Sequence, residues 1–299
     1  MASSDPPDPT PEQLVADLTL HLDLEPRGGD RYIGHPQRGA TGRVFGGQAI
    51  AQALGAARRT VAQDRHTHSL HAYFLRGGSA AEPIEFRVKR DLDARSFSNR
   101  RVVASQRGEP ILNLIASFQS GQEGPAHQFA VMPEVPAPED LESDAVLRRR
   151  MAETLPEGPI RRYMLRARPI DVRSVEPRDW LDPQQRAPTA HVWFRTVAPL
   201  PDDLPVHRAV LAYASDFQLL PTALQPHGLS YPRGDVKAAS LDHAIWFHGR
   251  YRADDWLLYV IESPWTGLAR GFGRGQIFTR DGRLVASVAQ EGMLRRTGV

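Results

Sequence analysis

The chain repeats itself. In its first half His71-Ala72-Tyr73-Phe74 leads through Arg95-Ser96-Phe97-Ser98 to Ile111-Leu112-Asn113-Leu114-Ile115-Ala116-Ser117. In its second half His243-Ala244-Ile245-Trp246 leads through Arg270-Gly271-Phe272-Gly273 to Leu284-Val285-Ala286-Ser287. An offset of roughly 170 residues is too long for one unit of a solenoid and long enough for a whole domain. With 299 residues there is chain for two such domains, each with its own core. Duplicated domains diverge, so the polar residues that break the symmetry are where chemistry is to be sought.

Each copy reads as one buried helix followed by an antiparallel meander. Pro11 to Leu18 predicts a short amphipathic helix with Pro11 in its first turn. After Arg43-Val44-Phe45-Gly46-Gly47-Gln48, the stretch Ala49 to Ala57 is apolar nearly all round, as a buried helix should be. Strands are expected at Tyr32–Gly34, Ser69–Leu75, Glu82–Asp91, Phe97–Ser105 and Ile111–Gln119. Residues 121–168 change character, with prolines, charges and one helical stretch near Leu141 to Ala152, and read as a linker. The second copy brings strands at Ile170–Arg173 and Ala190–Thr196, then a helix from Val206 to Leu220. Strands at Ala238–His248, Trp256–Ser263, Gly273–Thr279 and Leu284–Gln290 follow, the last two joined at Asp281-Gly282, a strong hairpin signal. The expected organisation is a disordered 1–11, a domain at 12–120, the linker at 121–168 and a second domain at 169–299. A long helix across a curved antiparallel sheet, used twice, is an α+β double hotdog.

Composition excludes several classes of function. Hydrophobic residues make up 41% and charged residues 24%, as in globular domains. No apolar run is long enough to cross a bilayer, so no membrane partner is expected. There is no cysteine, which removes disulfides, thiolate metal sites and a thiol nucleophile together. The formal charge of +2 is near neutral, and aromatics are not interleaved with basic runs, so no nucleic-acid partner is expected. Lys89 and Lys237 are the only lysines. The arginine bias is that of a GC-rich genome, although arginine also binds phosphate bidentately. The first residues have no basic start and apolar core, and Thr297-Gly298-Val299 carries no peroxisomal signal, so the cytoplasm is the default expectation.

Four stretches, taken in order, carry a resemblance. They are Val44-Phe45-Gly46-Gly47-Gln48-Ala49, Leu241-Asp242-His243-Ala244-Ile245-Trp246-Phe247-His248, Ala269-Arg270-Gly271-Phe272 and Val285-Ala286-Ser287-Val288-Ala289-Gln290-Glu291-Gly292. With them the chain resembles the acyl-CoA thioesterase II family of double-hotdog thioesterases, from about residue 12 onward. The resemblance implies acyl-CoA as substrate, hydrolysis to free acid and coenzyme A, no cofactor, and assembly into a homo-oligomer. It also implies three site residues: Asp216 in the second central helix, Ser240 before Leu-Asp-His, and Gln290 before Glu-Gly. Together a carboxylate, a hydroxyl and an amide would hold the attacking water. Serine at the hydroxyl position departs from the commonest bacterial pattern, which has threonine, yet keeps donor and acceptor. A thioester is already activated, so a carboxylate general base suffices without a covalent nucleophile. Burial near Tyr213 and Phe217 would raise the pKa of Asp216. Gly46-Gly47-Gln48, at a helix start, offers backbone N–H groups of Gly47 and Gln48 as substrate-binding oxyanion donors.

Other readings compete. By itself Asp216 also reads as a cap or the partner of an arginine. Asp242 and His243 look like an acid–base pair, but neighbours in a strand point to opposite faces. The repeat sets His243 against His71, which suggests one shared structural role. His66 and His68 could share a strand face, yet no third ligand accompanies them, so no metal is expected. No G-x-G-x-x-G, P-loop or G-x-S-x-G occurs. The alternatives to a thioesterase are a hotdog enoyl-CoA hydratase and an acyl-CoA-binding or regulatory protein that has lost turnover.

Overall fold

A computed structural model describes residues 8–37 and 40–297. Of the segment expected to be disordered, residues 1–7 lie outside the described residues, as do Gly298 and Val299 of the C-terminal tripeptide. Thr10 caps the first helix, α1 (Pro11–Leu22), in a capping box with Gln13, and Pro11 occupies its first turn.

Strands β1 (Glu25–Pro26) and β2 (Arg31–Gly34) precede the central helix α2 (Gly46–Arg58), nine of whose thirteen residues are buried. Then come β3 (Arg65–Phe74), β4 (Ile84–Asp93), β5 (Phe97–Gln106) and β6 (Glu109–Ser120). The segment read as a linker carries α3 (Asp144–Glu153) and α4 (Pro159–Leu165). They are pinned by a buried pair in which Arg148 Nε donates to Asp144 at 2.8 Å and Arg148 Nη1 to the Met164 carbonyl.

The second copy opens with β7 (Ile170–Ser174) and β8 (Thr189–Thr196), followed by α5 (Leu204–Ala214) and α6 (Leu219–Leu224). Strands β9 (Val236–Ser240), β10 (Asp242–Phe247), β11 (Leu257–Gly267), β12 (Arg270–Thr279) and β13 (Leu284–Arg296) complete it. The strands form one antiparallel sheet in the order β1-β2-β4-β5-β6-β3-β10-β13-β12-β11-β8-β7, with β9 also on β13. The halves join where β3 pairs with β10, His71 opposite Ala244 and Leu70 opposite Ile245. Their cores are continuous across this seam, where α2 packs against α5. Arg280-Asp281-Gly282-Arg283 makes the expected turn, with Gly282 at φ +86°.

Three expectations need correction. The helix expected from Val206 to Leu220 is two helices, α5 and α6, with residues 215–218 between them. The Ser215 carbonyl is taken by the Tyr259 hydroxyl at 3.1 Å, so the helix ladder does not run on through it. The strand expected from Ala238 to His248 is β9 and β10, divided at Leu241. That residue gives its N–H to the Glu291 carbonyl and its carbonyl to the Phe74 N–H, stitching the halves together. The third concerns the two histidines. His243 is 1% exposed, whereas the side chain of His71 lies on the outer face against Trp246, ring centroids 5.1 Å apart. They do not share a role.

Candidate active site

The break between α5 and α6 is where the polar residues of both halves meet. Asp216 lies in that break, partly buried. Its Oδ1 accepts from Gln290 Nε2 at 2.8 Å and its Oδ2 from the Gly47 N–H at 2.9 Å. Gln290, on β13, also gives Nε2–H to Ser240 Oγ at 2.7 Å. The three polar residues singled out from the sequence thus touch one another, and a fourth group comes from the other half of the chain.

The amide's orientation follows from its neighbours. An ionised carboxylate only accepts, so Gln290 must turn its NH2 toward Asp216 and its carbonyl oxygen away. That oxygen lies 2.9 Å from His243 Nδ1, and His243 Nε2 lies 2.9 Å from Ser215 Oγ. The Nδ1–H therefore donates to Gln290, and Nε2 is left to accept the one Ser215 hydroxyl proton, for which the Ala212 carbonyl at 3.0 Å competes. Burial lowers the pKa of His243 to about 4, so the ring is neutral at physiological pH. Both N–H bonds of the Gln290 amide are used, which leaves the Ser240 proton free to point at Asp216 or at a water.

Burial dominates the carboxylate's electrostatics. It raises the pKa of Asp216 to about 6, against hydrogen bonds from Gln290, Gly47 and Ser240 that pull it down. Phe45, Tyr213 and Phe217 supply the apolar wall, with centroids 5.0 to 5.5 Å apart. A carboxylate with this pKa is mostly ionised at neutral pH yet basic enough to accept a proton.

Glycine is needed where α2 begins. A Cβ on Gly46 would sit 2.6 Å from Asp216 Oδ2 and 3.0 Å from the Phe74 ring. One on Gly47 would collide with the Tyr213 carbonyl. The Gly47 amide, expected as an oxyanion donor, is committed to Asp216. Gln48, in the same turn, turns its side chain to Gln52 at 3.4 Å. Its backbone N–H has no acceptor within the helix, as for any residue of a first turn.

Sequence reasoning missed His243 and Ser215 as orienting groups, and the link from Gly47 to the carboxylate. Each depends on strand register or on contact between halves, which no local pattern encodes. His68 bonds Ser117 Oγ at 2.8 Å, and among the described residues no group of three or more His, Asp and Glu side chains is placed to hold a metal. No helix among them is long and apolar enough to cross a membrane.

Two helix-and-sheet repeats on one sheet, with a partly buried carboxylate at their seam, define a double-hotdog protein. Residues 166–293 match the family described as Acyl-CoA thioesterase, and residues 35–119 match the Acyl-CoA thioesterase N-terminal domain. Acyl-coenzyme A thioesterase 8 of Homo sapiens is 39% identical over 298 residues, covering 97% of this chain and 92% of the human protein. Acyl-CoA thioesterase 2 of Haemophilus influenzae is 39% identical, covering 85% and 88%. The crystal structure of an acyl-CoA thioesterase II from Mycobacterium marinum superposes with a TM-score of 0.76 at 42% identity, over 94% of this chain and 99% of that one. A hot dog protein from Alicyclobacillus acidocaldarius, 20% identical, shares the fold with a TM-score of 0.72. The chain belongs to the acyl-CoA thioesterase II family.

Proposed function

We propose that this chain hydrolyses acyl-CoA thioesters to a free acid and coenzyme A, with Asp216 as general base on water. The observation that carries the reading is a partly buried carboxylate of pKa about 6, held by Gln290, Ser240 and Gly47. Asp216 takes one proton from the water as its oxygen bonds to the thioester carbon. The tetrahedral intermediate then expels the thiolate, which recovers that proton. Gln290 and Ser240 hold water and carboxylate in one geometry, which supplies the orientation term. The Gln48 N–H in the first turn of α2 is the donor assigned to the developing oxyanion, reinforced by the helix dipole. Gly47 serves the carboxylate instead.

A cavity of about 90 Å³ beside α6 fits the role of acyl pocket. Trp180, Leu224, Leu229 and Tyr231 line it. The Tyr231 hydroxyl is buried without a hydrogen-bond partner among the described residues; burial raises its pKa, and the charge of Asp216 adds to that rise. Arg178, Asp179, Asp182 and Arg186 line the cavity as well, and its apolar part is what supports a fatty acyl chain as the substrate class. Cytoplasmic residence and a homo-oligomer belong to the same reading, and light scattering on the purified chain checks the second.

Thiol release from short-, medium- and long-chain acyl-CoA esters tests the activity. Turnover of at least one ester is expected. Tight binding with no thiol released from any would replace the enzyme by an acyl-CoA-binding protein.

A further inference from the structure

The central helices meet at two ends, and the second end has its own chemistry. There the last turns of α2 and the first turns of α5 wall a cavity of about 40 Å³, closed on one side by His66 and Thr67 of β3. Such a volume exceeds the room a single water needs. Arg208 lines it and is 9% exposed, yet its Nε has no hydrogen-bond partner among the described residues. The Phe247 ring lies 5.7 Å from its guanidinium carbon and covers one side of it. Arg58, on the other wall, gives its Nη groups to the carbonyls of Val61, Ala62 and Gln63, which leaves its buried Nε unpartnered. Nδ1 of His66 is likewise buried and unpartnered.

The local field is positive. Burial lowers the pKa of Arg208 first, and the charges of Arg250 and Arg58 lower it further. The same three arginines depress His66 after burial, and only Asp64 opposes them. A buried guanidinium with no counter-charge is costly, and an anion that accepts its N–H bonds removes that cost.

We propose that this cavity is an anion site taking a phosphate-class oxyanion between Arg58 and Arg208, with His66 at its edge. Two sources share that chemistry: free phosphate, and a phosphate of a coenzyme A molecule other than the one at Asp216. Guanidinium forks match tetrahedral oxyanions bidentately, and a dianion balances the clustered charge better than a monoanion. The His-rich stretch of β3 thereby takes part in anion rather than metal binding.

Titration calorimetry with inorganic phosphate and, separately, with coenzyme A tests this on the full chain and on Arg208→Met and Arg58→Gln. Removing an uncompensated buried charge should leave Arg208→Met folded. The site requires saturable binding of phosphate to wild type, weakened about tenfold or more by either substitution, the scale of one lost charge-assisted hydrogen bond. If coenzyme A also shows two classes of site, with one lost in Arg208→Met, its phosphate is the occupant. A single class of coenzyme A site indifferent to Arg208 points to free phosphate. Wild type that binds neither ligand at a site sensitive to Arg208, or variants that bind phosphate as tightly as wild type, would overturn the proposal.

Discussion

The two ends of the central helix pair are built on one plan and filled with different residues. Asp216 lies two residues beyond α5, and at the other end Thr60 lies two residues beyond α2. Ser98 and Gly273 are equivalent in the Arg-x-Phe-x repeat, and each has its partner across the sheet: Phe118 for Ser98, Gln290 for Gly273. Continuing the register of Ala244 with Ala289 sets His243 against Gln290, while Thr67 stands against Phe118. One end thus presents Asp216, Gln290 and His243, and the other presents Thr60, Phe118 and Thr67. Thr60 is itself held by Arg100, whose Nε donates to its Oγ1 at 2.8 Å. A carboxylate, an oriented amide and a neutral imidazole have become a hydroxyl tied to arginine, a phenyl ring and a small side chain. Only the first set can activate water. On the proposed mechanism both ends keep the helix-and-sheet packing and one of them supplies the base.

The contrast can be broken residue by residue. Asp216→Asn should lower kcat about 10²- to 10⁴-fold with little change in KM, because it removes the base and keeps the shape. Thr60→Val at the other end should leave kcat within about twofold, read in the same thiol-release assay. Equal losses in both would erase the distinction. Gln290→Leu imitates the apolar end, and we expect a loss of roughly 10²-fold in kcat from the unanchored carboxylate.

Titration sharpens the same comparison. The pKa of Asp216 is raised from 3.8 to about 6 on folding, so the stability associated with its neutral form is present below 3.8 and is lost as pH rises through about 6. An asparagine there escapes this loss. The stability of Asp216→Asn relative to wild type should therefore rise by roughly 2–3 kcal/mol between pH 4 and pH 8, measured by urea denaturation. A pH-independent difference would mean that the carboxylate is not desolvated. Smaller still, His243→Ala should lower kcat about tenfold and hardly move KM, since the ring acts through Gln290. A structural role alone would lower stability and leave kcat of the folded fraction unchanged.

Much of this was legible in the chain. Pro11 at a helix start, the apolar run from Ala49 to Ala57 and Asp281-Gly282 report local physics, and the elements appear where those signals stand. The break after α5 was not legible, because Tyr259, from a distant strand, takes the Ser215 carbonyl. The histidine equivalence failed for a related reason. By register the counterpart of His243 is Thr67, four residues before His71, and the bulge in β3 between Thr67 and Ser69 turns that even step into a change of face. That is why His71 faces outward and His243 faces Gln290. The identities of Asp216, Ser240 and Gln290 came from resemblance, and their mutual contacts come from the folded chain.

The pH dependence of kcat tests the central claim most directly. With Asp216 as the base, kcat should fall about tenfold per pH unit below a bend near pH 6 and be level above it, as the carboxylate's pKa of about 6 requires. A kcat that stays flat between about pH 5 and pH 8 would contradict the assignment of the partly buried carboxylate as the group that takes the proton from water.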